Sequence, residues 1–198
     1  METRRGFLKK TIGGAILLAA AGAIPVALRK TRLRQPRAPL QFFTPEEYSI
    51  FAAVAERVLA RGPVEMPAEL ATVAERRPVP PSAADVDVAE KADAFLAPLD
   101  AASAKELKQL LLLFDNALFS LATGGPPRPF TLMSPQEQDA HLERWATSRM
   151  AVRRTGFQAL KRLTAAMYYS QPATYASVGY PGPPYELVRT VNASRSRR

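Results

Sequence analysis

At 198 residues and 47% hydrophobic content the chain can form one domain with a real core and has no room for a second independent one. Its net charge of +9 sits almost wholly in residues 1–40, which hold 9 of the 27 Lys and Arg and 1 of the 18 Asp and Glu. The remainder is within one charge of neutral, with basic residues beside acidic ones as in Glu56-Arg57 and Glu143-Arg144, so no stripe tracks a phosphate backbone and nucleic acid is excluded as a partner. The lack of cysteine excludes disulfides, Fe–S clusters, thiolate zinc sites and c-type haem attachment, so any electron-transfer cofactor belongs to another chain.

The N-terminus resembles a twin-arginine export signal. Thr3, Arg4, Arg5, Phe7, Leu8 and Lys9 fill every specified position of Ser/Thr-Arg-Arg-x-Phe-Leu-Lys, and an uncharged stretch from Thr11 to Leu28 follows. The resemblance implies passage through the twin-arginine translocase in folded form, to the periplasm or the periplasmic face of the inner membrane. As a helix, Ile12 to Leu28 covers roughly 25 Å, short of a hydrocarbon core of about 30 Å. Residues 1–28 are therefore a signal that contacts the membrane. Cleavage near Ala21-Gly22-Ala23 and retention as an anchor both stay open. Residues 29–42, with five basic residues and two prolines, read as a linker.

Thr44-Pro45-Glu46-Glu47 combines a cap, a proline at the first helical position and a glutamate three residues after the cap, so a first helix starts there and runs to about Arg61. Ile50, Phe51, Val54, Val58 and Leu59 mark its apolar face. Prolines make residues 62–81 an extended connection, with a short helical turn near Glu69–Glu75. Asp85 or Asp87 caps a second helix to about Ala97, with Val88, Ala92, Phe95 and Leu96 in line. A third begins at Ser103 and runs unbroken past Leu121 to Gly124-Gly125, apolar on most sides and so central to a bundle. Ser134-Pro135-Gln136-Glu137 repeats the cap signature and starts a fourth helix to about Arg149. A fifth spans about Ala151 to Ser170, using Phe157, Leu160, Leu163, Thr164, Met167 and Tyr168. The fold expected over 43–191 is an all-α bundle of about five helices preceded by the signal helix, with a disordered tail at 192–198.

Chemistry is sparse. His141, the single histidine, stands one turn from Glu137, but two ligands are too few for a metal, and a surface or interface position is expected. No Gly-x-Ser-x-Gly elbow and no Gly-x-Gly-x-x-Gly turn occurs, so neither a hydrolase triad nor a dinucleotide site is expected in this chain. Asp85, Asp87, Glu90 and Asp93 read as a solvated first turn. Asp115-Asn116, inside the most apolar helix, needs buried partners, solvent or another subunit. Five of six tyrosines, Tyr168, Tyr169, Tyr175, Tyr180 and Tyr185, fall within eighteen residues and precede or flank a Gly/Pro loop. With Trp145 they form either a recognition surface or a cover for the bundle's end.

Over most of its length the chain resembles the small subunit, subunit 3, of gluconate 2-dehydrogenase. The resemblance is carried by the twin-arginine start, Phe43-Thr44-Pro45-Glu46-Glu47, the Ala53 to Leu59 segment and Val178-Gly179-Tyr180-Pro181-Gly182-Pro183. The longer segment from Gly62 to Pro81 departs from the family's pattern. The resemblance implies a non-catalytic subunit with no cofactor of its own. Its partners are then an FAD-containing dehydrogenase of the glucose-methanol-choline type, which it escorts across the membrane, and a cytochrome c subunit. A free-standing envelope binding or structural protein, and an enzyme with its own unrecognised site, are the competing readings.

Overall fold

The structure is a computed structural model that describes residues 31–60 and 78–182. Arg4, Arg5, Phe7, Leu8 and Lys9, the possible anchor, the turn expected near Glu69–Glu75, Tyr185 and the tail all lie outside the described residues. Among the described residues there are seven α-helices, one 3-10 turn and no strand, an all-helical protein as expected. The chain divides into two compact units. One comprises residues up to Arg61 and Ser82–Tyr168; the other comprises Gly62–Pro81 and Tyr169 onwards.

In the first unit, α1 (Pro45–Val58) starts as its sequence requires. The Thr44 side chain accepts from Glu47 N at 3.2 Å, and the Glu47 carboxylate accepts from Thr44 N at 2.9 Å. The same reciprocal pair, Ser134 with Glu137, opens α5 (Pro135–Ala146). Ile50, Phe51 and Val54 of α1 are fully buried and form the middle of the core with Val88 and Ala92 of α2 (Val88–Leu96), Leu111 and Phe114 of α3 (Ala101–Phe114), Trp145 of α5 and Leu160 of α6 (Ala151–Tyr169). Each large side chain removed from water in this way contributes about 1.5–3 kcal/mol. Helix α1 packs on α2, α3, α5 and the 3-10 turn Phe130–Leu132. Helix α6 crosses close over α3 and α5 because Gly156 has no side chain: a Cβ there would lie 2.5 Å from Leu110 Cδ1 and 3.1 Å from Trp145 Cζ3.

Four expectations need correction. The third helix is not continuous. It ends at Phe114, and Asn116 caps a separate six-residue helix, α4 (Ala117–Ala122), by accepting from Phe119 N at 2.9 Å. The break resets the helical phase, so Leu118 and Leu121, which lie in the stretch expected to form the central buried helix, are 65% and 53% exposed. Helix α3 also starts earlier than Ser103, capped by Asp100 through Ala102 N and Ser103 N. Neither aspartate side chain caps α2: Asp87 holds the N-cap position in the left-handed region without a cap bond, and Asp85 pairs with Ser82 in the turn before it; Phe95, expected in line with Val88, Ala92 and Leu96, is exposed.

The fourth correction concerns residues 31–43. They have no regular secondary structure, yet they are fastened to the bundle as a strap. Thr31 Oγ1 donates to Asp115, Arg32 N to Thr131 Oγ1 and Arg34 N to Ser49 Oγ, and the Arg34 guanidinium forks onto Glu56. Arg37 N donates to Glu90, its guanidinium pairs with Asp87, and the backbone N–H groups of Gln41, Phe42 and Phe43 converge on the buried Asp93 at 2.7, 3.0 and 2.7 Å. Of the four acidic residues expected to be a solvated turn, Asp87, Glu90 and Asp93 fasten this strap, while Asp85 stays exposed and bonded to Ser82.

In the second unit, α7 (Pro172–Val178) follows Gln171 and stops at Gly179, whose φ of 71° closes the helix in the left-handed conformation that glycine tolerates.

Candidate functional site

Three places in the described residues combine polar chemistry with structure that positions it. The first is an open groove of about 500 Å³ where the strap meets α1 and α2, lined among others by Arg34, Arg37, Tyr48, Glu56, Asp87 and Glu90. Its charges are internally matched: Arg34 with Glu56 and Arg37 with Asp87. Burial, reinforced by the carboxylates of Glu90 and Asp87, pushes the Tyr48 phenol above its ordinary value. Such a wall stabilises the strap, and of the arginines lining it only the exposed Arg32 stands outside an ion pair among the described residues.

The second place is the corner where α4, α5 and α6 meet. His141 and Trp145 share the inward face of α5 at i and i+4, and the imidazole is 1% exposed, packed on Phe114 at 4.8 Å, Phe130 at 5.4 Å and Trp145 at 6.0 Å. The expectation of a surface or interface histidine is therefore overturned. Neither ring nitrogen has a well-aligned hydrogen bond, the Phe114 carbonyl being close enough only to favour the protonated ring weakly. Burial, helped by the nearby cations Arg144 and Arg153 and only slightly opposed by the Phe114 carbonyl, lowers its pKa to about 3, so the ring is neutral at any physiological pH. Arg153, on the core-facing side of α6, is 5% exposed; its guanidinium lies 5.5 Å from the Trp145 ring centre and 6.0 Å from that of Phe119. Its one hydrogen bond runs from Nη1 to Ser148 Oγ at 3.4 Å, while Nε and Nη2 have none. Arg144 Nη2, Ser120 Oγ and Trp145 Nε1 are likewise buried without a partner. Among the described residues neither arginine makes an ion pair.

The third place is the tyrosine cluster, which the structure divides. Trp145 and Tyr168 are core side chains of the first unit with almost no surface to offer a partner, Trp145 none at all. Tyr169, Tyr175 and Tyr180 belong to the second unit, where Tyr175 and Tyr180 meet edge to face at 5.0 Å and Tyr175 Oη donates to the Ser170 carbonyl at 3.2 Å. Tyr169 and Tyr180 are exposed.

The sequence reading passed over Ser120, Arg144 and Arg153. A signal for Arg153 was present, because it falls four and seven residues before Phe157 and Leu160 on the face that α6 buries. Among the described residues no group of three or more His, Cys, Asp or Glu side chains is arranged to hold a metal ion, and no helix is long and apolar enough to cross a membrane.

Comparison with curated proteins and with solved structures finds no match. Comparison with protein families finds one over residues 45–182, which takes in every described helix from α1 to α7. The chain belongs to the gluconate 2-dehydrogenase subunit 3 family.

Proposed function

We propose that this protein is the accessory subunit of an exported flavin-dependent dehydrogenase of the glucose-methanol-choline type, supplying the twin-arginine signal for the complex and escorting the folded catalytic subunit to the periplasm. The observation that carries this reading is the family match across 45–182, joined to the complete twin-arginine pattern at Thr3 to Lys9. A signal on one chain serves another only if both cross already folded and bound, and a flavoprotein acquires its cofactor before export. The strap is consistent with such a role, since it ties residues 31–43 to the folded bundle through Asp93, Glu56 and Asp115. In this reading the FAD and the oxidation chemistry belong to the partner, and a cytochrome c subunit takes the electrons onward.

Purification of the chain, tagged after Arg198, from the envelope of its host tests the proposal. Mass spectrometry should find a stoichiometric flavoprotein of that type, and the preparation should show a flavin absorbance spectrum. A colourless, partner-free monomer would instead favour a free-standing envelope protein.

A further inference from the structure

At the corner between α4, α5 and α6, Arg153 and Arg144 lie near each other and neither makes an ion pair among the described residues. Elsewhere in this bundle each buried carboxylate is met by donors: Glu47 by Thr44 N and Lys108, Asp93 by three backbone N–H groups, Asp115 by Thr31 and Thr131. Arg153 instead has two free guanidinium nitrogens, the nearest like charge is Arg144, and both burial and that like charge lower its pKa. Met only by the faces of Trp145 and Phe119 and by Ser148 Oγ, the guanidinium is left short of acceptors, which is unfavourable for a buried charge.

The surroundings indicate what completes it. Ser120 Oγ and Arg144 Nη2 both border the Gly125 Cα, where a Cβ would be too close to Ser120 and 3.1 Å from Arg144 Nη2. Together with Arg153 they are hydroxyl and forked N–H donors, a set suited to a planar carboxylate. The covering element is the short helix α4, whose Phe119 and Ser120 face the corner while Leu118 and Leu121 stand exposed outside. Past it, the chain turns at Gly124, with φ of 81° and nothing within 4 Å of its Cβ position. Exposed leucines beside the buried Arg153 and the half-buried Arg144, neither in an ion pair among the described residues, describe a protein-docking surface more closely than a pocket for a small anion.

We propose that Arg153, Arg144 and Ser120 form a carboxylate-binding site for an acidic side chain of the dehydrogenase subunit, which enters by the Gly124-Gly125 turn and seats neighbouring apolar residues on Leu118 and Leu121. This rests on the accessory-subunit reading, and the test separates the two. The tagged full-length chain is expressed in its host as wild type, Arg153→Met and Leu118→Asp, and the recovered flavoprotein is quantified beside the melting temperature of each chain. The expected result is that Arg153→Met melts at or above the wild-type temperature yet recovers at least about tenfold less flavoprotein, since truncating one member of a buried charge pair mainly speeds dissociation. Leu118→Asp, at a solvent-exposed position, should show the same loss. Wild-type recovery with Arg153→Met overturns the site; should that variant unfold, wild-type recovery with Leu118→Asp overturns it. A melting-temperature rise in inorganic phosphate over chloride at equal ionic strength, abolished by Arg153→Met, reassigns the corner to a free anion and overturns partner docking. No flavoprotein with the wild-type chain overturns the accessory reading and this site together.

Discussion

At the strap, Asp93 and Asp115 are buried carboxylates held by donors drawn from chain segments 16 to 84 residues away. At the α4–α5–α6 corner, Arg153, His141, Trp145 and the Nη2 of the half-buried Arg144 are buried donors and ring nitrogens with scarcely a hydrogen bond among them. Both regions belong to one bundle and share neighbours, since Asp115 directly follows Phe114, against which His141 and Trp145 pack. The difference separates two uses of buried polarity. Satisfied groups fix a segment in place, and unsatisfied ones lower stability.

The largest effect should come from removing a fastener. Asp93→Ala leaves three backbone N–H groups without an acceptor, two of them partly and one fully buried, and urea unfolding should show a loss of about 3 kcal/mol or more. Asp93→Asn keeps one acceptor oxygen and should lose roughly half as much. If the alanine variant unfolds at the wild-type midpoint, the strap is not held as described.

Acid titration sharpens the comparison next. Burial raises the Asp115 pKa from 3.8 to about 6, despite the bonds from Thr131 and Thr31, and lowers that of His141 from 6.5 to about 3. Between about pH 4 and 6 the unfolded chain carries a proton on the histidine and none on the aspartate, whereas the folded protein has the reverse. The histidine therefore makes stability rise with pH across this window, the aspartate makes it fall, and the two oppose each other. Asp115→Asn removes the falling contribution. Its unfolding free energy should climb by about 1.4 kcal/mol per pH unit where the wild type is nearly flat.

At the corner, Arg153→Met should have the opposite sign from Asp93→Ala, leaving the isolated chain unchanged or about 1 kcal/mol more stable in the same urea experiment, because it removes an unpaired buried charge. A similarly small effect, of opposite sign, is expected at the nearby α6 crossing. Gly156→Ala gains about 1 kcal/mol of helix propensity but meets Leu110 and the rigid Trp145 ring at a packing cost of about 1–3 kcal/mol, so thermal unfolding should show a net loss of about 1 kcal/mol.

What could be read in the sequence was local. Thr44 to Glu47 and Ser134 to Glu137 announce their helices because cap, proline and glutamate act within four residues, and the structure reproduces both boxes. The break at Asp115-Asn116 was noticed only as an oddity, since what resolves Asp115 is Thr131 and the strap's Thr31, contacts that local periodicity cannot report. The strap read as a linker for the same reason: its partners Asp93, Glu56 and Ser49 belong to helices that follow it. The tyrosines of the C-terminal third looked like one cluster because they adjoin in sequence, yet Tyr168 belongs to the core and Tyr175 with Tyr180 to a separate unit.

The central claim, that this chain carries a folded dehydrogenase across the membrane, is tested most directly by replacing Arg4 and Arg5 with Lys. That change keeps the charge and removes the guanidinium forks of the signal. Fractionation of the host should then find both this chain and its flavoprotein partner held in the cytoplasm, with the periplasmic dehydrogenase activity lost. If the flavoprotein still reaches the periplasm in normal amount while this chain does not, the escort role is contradicted. If both arrive, the twin-arginine signal is contradicted as well.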